Sequence, residues 1–144
     1  MILHAGLIAR RLSGGWHGAL ILGPSGSGKS DLALRAMAAG FRLVADDRTL
    51  VFLSGGRLFG RAPAALHGLI ETRGVGVIAH DVLRLAPITL AIRCAAAPET
   101  VERMPAPAFE RLLGIDLPVL DLWPFELSAP AKIGRAIEHL GGRP

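Results

Sequence analysis

A single cysteine, Cys94, occurs in the 144 residues, so no disulfide can form within the chain and a reducing compartment is open to it. Set in Ala91-Ile92-Arg93-Cys94-Ala95, it reads as a small core residue rather than a nucleophile. Long apolar runs are missing as well: although mean hydropathy is positive, none approaches the roughly 18 to 20 residues of a spanning helix. The start, Met1-Ile2-Leu3-His4, has neither the basic residues nor the apolar stretch of a secretory leader, and a cytoplasmic location with no membrane partner is expected. Basic blocks are also lacking. Fourteen of the 16 basic residues are Arg, scattered from Arg10 to Arg143 with no run longer than Arg10-Arg11, so no nucleic-acid partner is expected. The net charge of +4 spread in this way describes a solvated surface that favours anionic partners, nucleotides and acidic proteins among them. No repeat, low-complexity tract or long linker divides the sequence, and 51% hydrophobic residues suffice for one core, so residues 1–144 are expected to form a single domain.

Against these absences stands Gly23-Pro24-Ser25-Gly26-Ser27-Gly28-Lys29-Ser30, which fits the phosphate-binding pattern G-x-x-x-x-G-K-[ST] at every fixed position. The glycines let backbone N–H groups approach phosphate oxygens, and a helix starting there directs its positive end to the same point. Lys29 supplies a point charge for the β/γ-phosphates, and the Ser30 hydroxyl suits Mg²⁺. The flanks agree: His17–Leu22 is a short apolar strand and Asp31–Ala39 is helix-forming, with Gly40 placed to end the helix.

Along the remaining chain, Leu3–Ile8 is expected as an edge strand joined by a turn at Ser13-Gly14-Gly15 to the strand before the loop. Phe41–Ala45 is expected as a strand ending in the carboxylate pair Asp46-Asp47. Thr49–Leu53 and Arg57–Gly60 flank Ser54-Gly55-Gly56 and predict a hairpin. Pro63–Gly68 reads as a connector. In Leu69–Ile78, two glycines among β-branched residues mark either a close approach to a ligand or a bulge; if the chain is extended there, Glu71 and Arg73 share a face. Pro87–Arg93 is a further strand, Phe109–Leu113 a short helical turn stopped by Gly114, and Leu117–Leu122 an edge strand with Pro118 near its start. A terminal helix is capped by Ser128, carries Pro130 in its first turn, presents Ile133, Ala136, Ile137 and Leu140 on one face, and stops at Gly141-Gly142.

The discriminating feature is spacing. Asp46 follows Lys29 by only seventeen residues, one helix and one strand. With that spacing, the blocks Gly23–Asp31, Gly40–Asp47 and Gly68–Ile78 resemble the catalytic domain of the HPr kinase/phosphorylase family, bacterial enzymes that act on a serine of the phosphocarrier HPr. The resemblance implies an α/β fold: a P-loop domain whose mixed sheet carries hairpins and a C-terminal helix. It implies ATP and Mg²⁺ as cofactors, HPr as protein partner and a homo-oligomer, hexameric in that family. ATP phosphates then fall to Gly23, Pro24, Ser25, Gly26, Ser27, Gly28, Lys29 and Ser30, and Mg²⁺ to Ser30 and Glu71. Asp47 becomes the base that accepts the serine proton, Asp46 shares or tunes that role, and Arg73 helps stabilise transferred charge. The family's active-site histidine falls on His4, with His17 as the rival position. His67, His80 and His139 have no metal-cluster spacing.

Three departures accompany the resemblance. The family's separate N-terminal domain has no counterpart here, as in short alphaproteobacterial-like forms. The loop after Ile78 that carries an arginine in the family is cut to Ala79–Arg84, with Arg84 the available substitute. The basic loop associated with dephosphorylation is replaced around Leu122–Leu127, so phosphorylation is the expected activity and dephosphorylation an open second one. Two other readings share the loop: a kinase of a small metabolite, and a non-catalytic nucleotide sensor.

Overall fold

The computed structural model describes residues 1–64 and 68–140; half of the connector, His67 included, and the Gly141-Gly142 stop lie outside the described residues. In chain order its elements are β1 (Ile2–Leu3), β2 (Ala5–Leu12), β3 (Gly15–Leu22), α1 (Lys29–Ala38), β4 (Arg42–Ala45), β5 (Thr49–Ser54) and β6 (Arg57–Arg61). There follow β7 (Leu69–Thr72), β8 (Gly76–Ala79), β9 (Ala86–Cys94), a 3₁₀ turn at Pro98–Thr100, β10 (Phe109–Leu112), β11 (Ile115–Leu122) and α2 (Ala129–His139). The result is the expected mixed α/β fold with hairpins and a C-terminal helix.

The strand leading into the glycine loop is central. β3 pairs antiparallel with β2 and parallel with β9. Outside β2 lies β4, antiparallel to it, and outside β9 lies β11, parallel to it. β3, β4, β9 and β11 therefore run in one direction and deliver their C-terminal ends to the same edge of the sheet. The β5–β6 hairpin joins the start of β9 through Phe59–Pro87 and Gly60–Ala86, and β1 lines its far side. β7 and β8 form a separate hairpin.

Apolar cover on both faces explains the high hydrophobic content, because a strand buried on both sides reads as a continuous apolar run. Ala19, Ile21, Leu90 and Ile92 point to the helical side with Leu32, Ala36, Ile133 and Ile137. Their neighbours Leu20 and Ala91 point the other way, with Leu7, Val44, Val51 and Leu58. This is the two-residue alternation of strands carried into two cores. The first helix closes as its Gly predicts: Gly40 has φ +98°, its N–H donates to Met37 O at 3.3 Å, and Phe41 N–H donates to Ala36 O at 3.0 Å. These two bonds satisfy carbonyls that the helix leaves open. At the last helix, Ser128 occupies the N-cap, but its hydroxyl makes no capping bond.

Four expectations are corrected. The first long strand is not an edge, since β2 is paired on both sides; at His4 the chain changes neighbours, β1 pairing with β5 at the far end of the same sheet. Phe109–Leu113 is not helical: β10 pairs with β11 through a two-residue turn in which Leu113 has φ +48° and Gly114 φ +82°. β11 is not an edge strand either, being paired first with β10 and then with β9. Val119 N–H donates to Ala108 O, so Pro118 presents its proton-less nitrogen to the opposite side, just ahead of the β9 pairing. Finally, Leu69–Ile78 is a hairpin, not one extended segment. Val75 N–H donates to Thr72 O across a turn containing Arg73 and Gly74, so Glu71 and Arg73 do not share a strand face.

Candidate active site

At the carboxyl edge of the sheet, β3 ends and the Gly23–Gly28 loop turns into α1, whose first residue is Lys29. Gly28 serves as N-cap with φ +101°, a conformation open to glycine at little cost. The Lys29 ammonium is buried and donates to the carbonyls of Gly23 at 2.7 Å and Pro24 at 2.9 Å, which folds the side chain back along the loop.

One residue on, the Ser30 hydroxyl donates to Asp46 Oδ1 at 2.7 Å, joining the helix start to the end of β4. Asp46 also accepts from the backbone N–H of Glu71, which brings the β7–β8 hairpin to the same point. Burial chiefly raises the Asp46 carboxyl above its ordinary range. The Ser30 and Glu71 hydrogen bonds oppose that rise, while the charges of Asp47 and Glu71 add to it. Ser30, Asp46 and Glu71 offer only oxygen donors, the chemistry a hard cation such as Mg²⁺ takes. Among the described residues no group of three or more His, Cys, Asp or Glu is arranged to hold a metal by itself. A cation here would share its coordination with phosphate and water, as Mg²⁺ usually does.

Asp47 faces differently because the strand has ended. Its φ is +65°, and Arg48 N–H donates to Asp46 O at 2.7 Å, closing a tight turn centred on Asp47. A three-residue turn with positive φ is the rare, strained form. Strand alternation therefore does not apply to the acidic pair. Asp47 Oδ1 lies 2.5 Å from His4 Nε2, and both side chains are about half exposed, at 54% and 55%. His4 can reach because it stands where the chain leaves β1 for β2. Its rival is elsewhere: His17 is buried near the start of β3, with Nδ1 3.3 Å from Thr89 Oγ1, and six residues of strand, roughly 20 Å, separate it from Gly23.

Two arginines stand apart from this cluster. Arg73 lies exposed in the β7–β8 turn and Arg84 exposed in the segment before β9; among the described residues neither forms an ion pair. The structure also reveals neighbours that the sequence reading missed. A Cβ built on Gly28 would come within 2.7 Å of the Phe125 ring, and one on Gly23 within 2.6 Å of Ser27 Oγ and 3.1 Å of Cys94 Cβ. Phe125 and Cys94 thus bound the loop on the side of β9 and β11. Cys94 is half-buried against the helical-side core, and burial pushes its thiol up. The only linear hint of Phe125 was a Trp-Pro-Phe run in a chain with 5% aromatic residues.

The profile of the HPr Serine kinase C-terminal domain matches residues 14–86, half of the chain. The chain belongs to this family. The match spans β3, the glycine loop, the acidic pair and the β7–β8 hairpin. Within the family, the HPr kinase/phosphorylase of Lactiplantibacillus plantarum is 49% identical over 69 residues, covering 47% of this chain and 21% of that protein. The enzyme of the same name from Brevibacillus brevis is 50% identical over 62 residues, covering 42% and 20%. The chain thus spans about a fifth of the length of the curated relatives it matches. The solved structure of the Hpr(Ser) kinase/phosphatase from Coxiella burnetii superposes with a TM-score of 0.79 at 25% identity, over 96% of this chain and 88% of that one. That structural likeness continues into β9, β10, β11 and α2, beyond the sequence match.

Proposed function

We propose that residues 1–144 act as one kinase domain that transfers the γ-phosphoryl group of ATP to a serine hydroxyl of the phosphocarrier HPr. The observation that carries this reading is the convergence of Ser30, Asp46 and Glu71 beside the glycine loop, with the His4–Asp47 pair adjoining. Backbone N–H groups of Gly23–Gly28 and the start of α1 would hold the phosphates, and Lys29 would exchange its carbonyl partners for phosphate oxygens. Ser30 and Glu71 would hold Mg²⁺, which when bound neutralises charge on the β- and γ-phosphates.

The remaining chemistry falls to the acidic pair. The serine oxygen attacks the γ-phosphorus, its proton passes to the Asp47 carboxylate, and the bond to the β–γ bridging oxygen breaks to release ADP. His4 would orient Asp47 and hold its charge in place. Asp46, held by Ser30 and the Glu71 amide, would tune the pair and support the cation site. Arg73 would help stabilise transferred charge from the hairpin turn. In dephosphorylation a water or phosphate oxygen would attack the phosphoserine phosphorus and keep the phosphoryl group, while Asp47, in the reverse sense, gives its proton to the departing serine oxygen. The same reading includes action in the cytoplasm and self-association of the chain, hexameric by resemblance, which sedimentation measures.

Incubation of the protein with ATP, Mg²⁺ and purified HPr, followed by intact-mass and peptide analysis, tests the proposal. The expected product is HPr with one phosphoryl group on serine. Tight ATP binding with unmodified HPr would overturn the kinase assignment and leave a nucleotide sensor; transfer to a small metabolite alone would replace the substrate class. Among the described residues, no helix is long and apolar enough to cross a membrane.

A further inference from the structure

Asp47 has two different sides. Toward the glycine loop stand Asp46, Ser30 and the Glu71 amide. Attacking and leaving oxygens lie in line on opposite sides of a transferred phosphorus. With ATP held at the loop, the acceptor hydroxyl therefore comes from the side away from it, where His4 meets Asp47. That side is bordered by β1, which ends just before His4, and by the β5–β6 hairpin, which begins two residues after Asp47.

The hairpin has two faces of opposite character. Val51 and Leu58 turn inward to the core, so strand alternation turns Leu50, Phe52 and Phe59 outward together with Arg57 and Arg61. Cross-strand register extends the row, with Ile2 opposite Leu50 and Leu50 opposite Arg61. Phe52 and Phe59 are direct partners whose rings stack at 5.8 Å, and the Arg57 guanidinium lies 5.5 Å from the Phe59 centroid. Ile2 is 59% exposed although apolar. Both arginines are exposed, and among the described residues neither is held in an ion pair. No acidic residue occurs between Arg48 and Ile70, so the hairpin carries no counter-charge of its own. The face is apolar at its centre and basic at its rim.

We propose that this outer face of β1, β5 and β6 is the docking surface of the protein acceptor, which sets carboxylates against Arg57 and Arg61 and an apolar patch against Ile2, Leu50 and the phenylalanine pair. The inference rests on the transfer reaction proposed above and goes on to say which surface carries the body of the acceptor. A serine hydroxyl offers few contacts, so affinity for a folded substrate comes from surface beside the reacting group. The row of Ile2, Leu50 and Arg61 begins about 10 Å along the strand from Asp47, and the hairpin tip lies about 20 Å away. An interface of about 800 Å² per partner, about 30 Å across, spans that distance. Arginine and aromatic side chains are the types that such contacts favour, and the unopposed positive rim selects an acidic partner surface.

Initial rates of HPr phosphorylation with HPr varied at saturating ATP and Mg²⁺ test this on the wild type, Arg57→Glu, Arg61→Glu and Ile2→Ser. Arg11→Glu serves as a charge control, because Arg11 is exposed at the far end of β2. Arg61→Glu should raise KM for HPr about tenfold and Arg57→Glu about threefold at low salt, both effects shrinking as salt screens them. Ile2→Ser should raise it about threefold at every salt concentration. In these variants kcat and KM for ATP should stay within about twofold of wild type, as should KM for HPr in Arg11→Glu. KM for HPr unmoved by both arginine variants, or raised as much by Arg11→Glu, would overturn the docking face. So would a fall in kcat at unchanged KM, which would tie Arg61 to the reaction itself. A change in sedimentation between wild type and Arg61→Glu would overturn it too, giving the face to a second copy of the chain. A wild type that leaves HPr unmodified would overturn the kinase reading and this face with it.

Discussion

Asp47 combines two demands in one residue, a carboxylate beside His4 and a backbone at φ +65°. Positive φ costs a residue with a Cβ on the order of 1 kcal/mol relative to glycine. Asp47→Gly should therefore raise folding stability by about 1 kcal/mol while abolishing transfer, and thermal melts beside a phosphorylation assay read the two effects separately. An Asp47→Gly protein no more stable than wild type would mean the turn is unstrained. His17 gives a pH signature away from the site. Burial, with the Arg57 charge second, lowers its pKa, so the folded state disfavours the protonated ring. The unfolded chain then protonates first as pH falls. The contribution is complete above about pH 6.5 and is lost below it as pH drops toward the lowered folded value. His17→Gln should remove that part of the acid-side decline in melting temperature, and unchanged slopes between pH 7.5 and 5, taken as a rough window, would refute it. At this scale the glycine loop was legible because phosphate binding fixes residue types at fixed spacing. Phe125 was not, because its meeting with Gly28 depends on Arg35 reaching carbonyls 89 and 91 residues away.

Hairpins divide cleanly by the residues at their turns. Gly55-Gly56, at φ +58° and +75°, joins β5 to β6 and was readable from sequence, because two-residue turns need positive φ and glycine supplies it. Leu113-Gly114 joins β10 to β11 with the same signs of φ, and there a leucine occupies the strained place. Phe-Glu-Arg-Leu-Leu satisfies a helical spacing as well as a two-residue one, so pattern alone could not decide. Leu113 is 41% exposed and loses little by replacement. Leu113→Asn should thus stabilise the protein by about 1 kcal/mol in urea denaturation, and a destabilised variant would show that its packing outweighs the turn. The β7–β8 hairpin brings Glu71 to Asp46, which the sequence reading expected of Glu71 by resemblance only. Glu71→Gln should raise the Mg²⁺ concentration needed for half-maximal transfer. An unaltered Mg²⁺ titration would remove Glu71 as a ligand.

For the whole molecule, the decisive arrangement is four strands of one direction ending at one edge, with the glycine loop between an acidic side and an apolar side. Strand identities were largely legible from apolar runs and turns. Strand order was not, because pairing such as β3 with β9 joins residues about seventy apart, and nothing local records it. The two cores explain why the order matters: alternate residues of β3 and β9 serve opposite faces, so both must be central for Ile21 and Leu20 each to be fully buried. Family membership is carried by residues 14–86, while Cys94, Ala95, Ala96 and Phe125, which face the glycine loop from the other side, lie beyond them. Phosphoryl transfer at the Asp47 end of this edge is read from the mass of HPr after reaction with wild type and with Asp47→Asn at saturating ATP and Mg²⁺. The wild type should place phosphoserine on HPr, and Asp47→Asn should keep its ATP affinity yet yield no phosphorylated HPr. Unmodified HPr with the wild type, or equal turnover by Asp47→Asn, would contradict it.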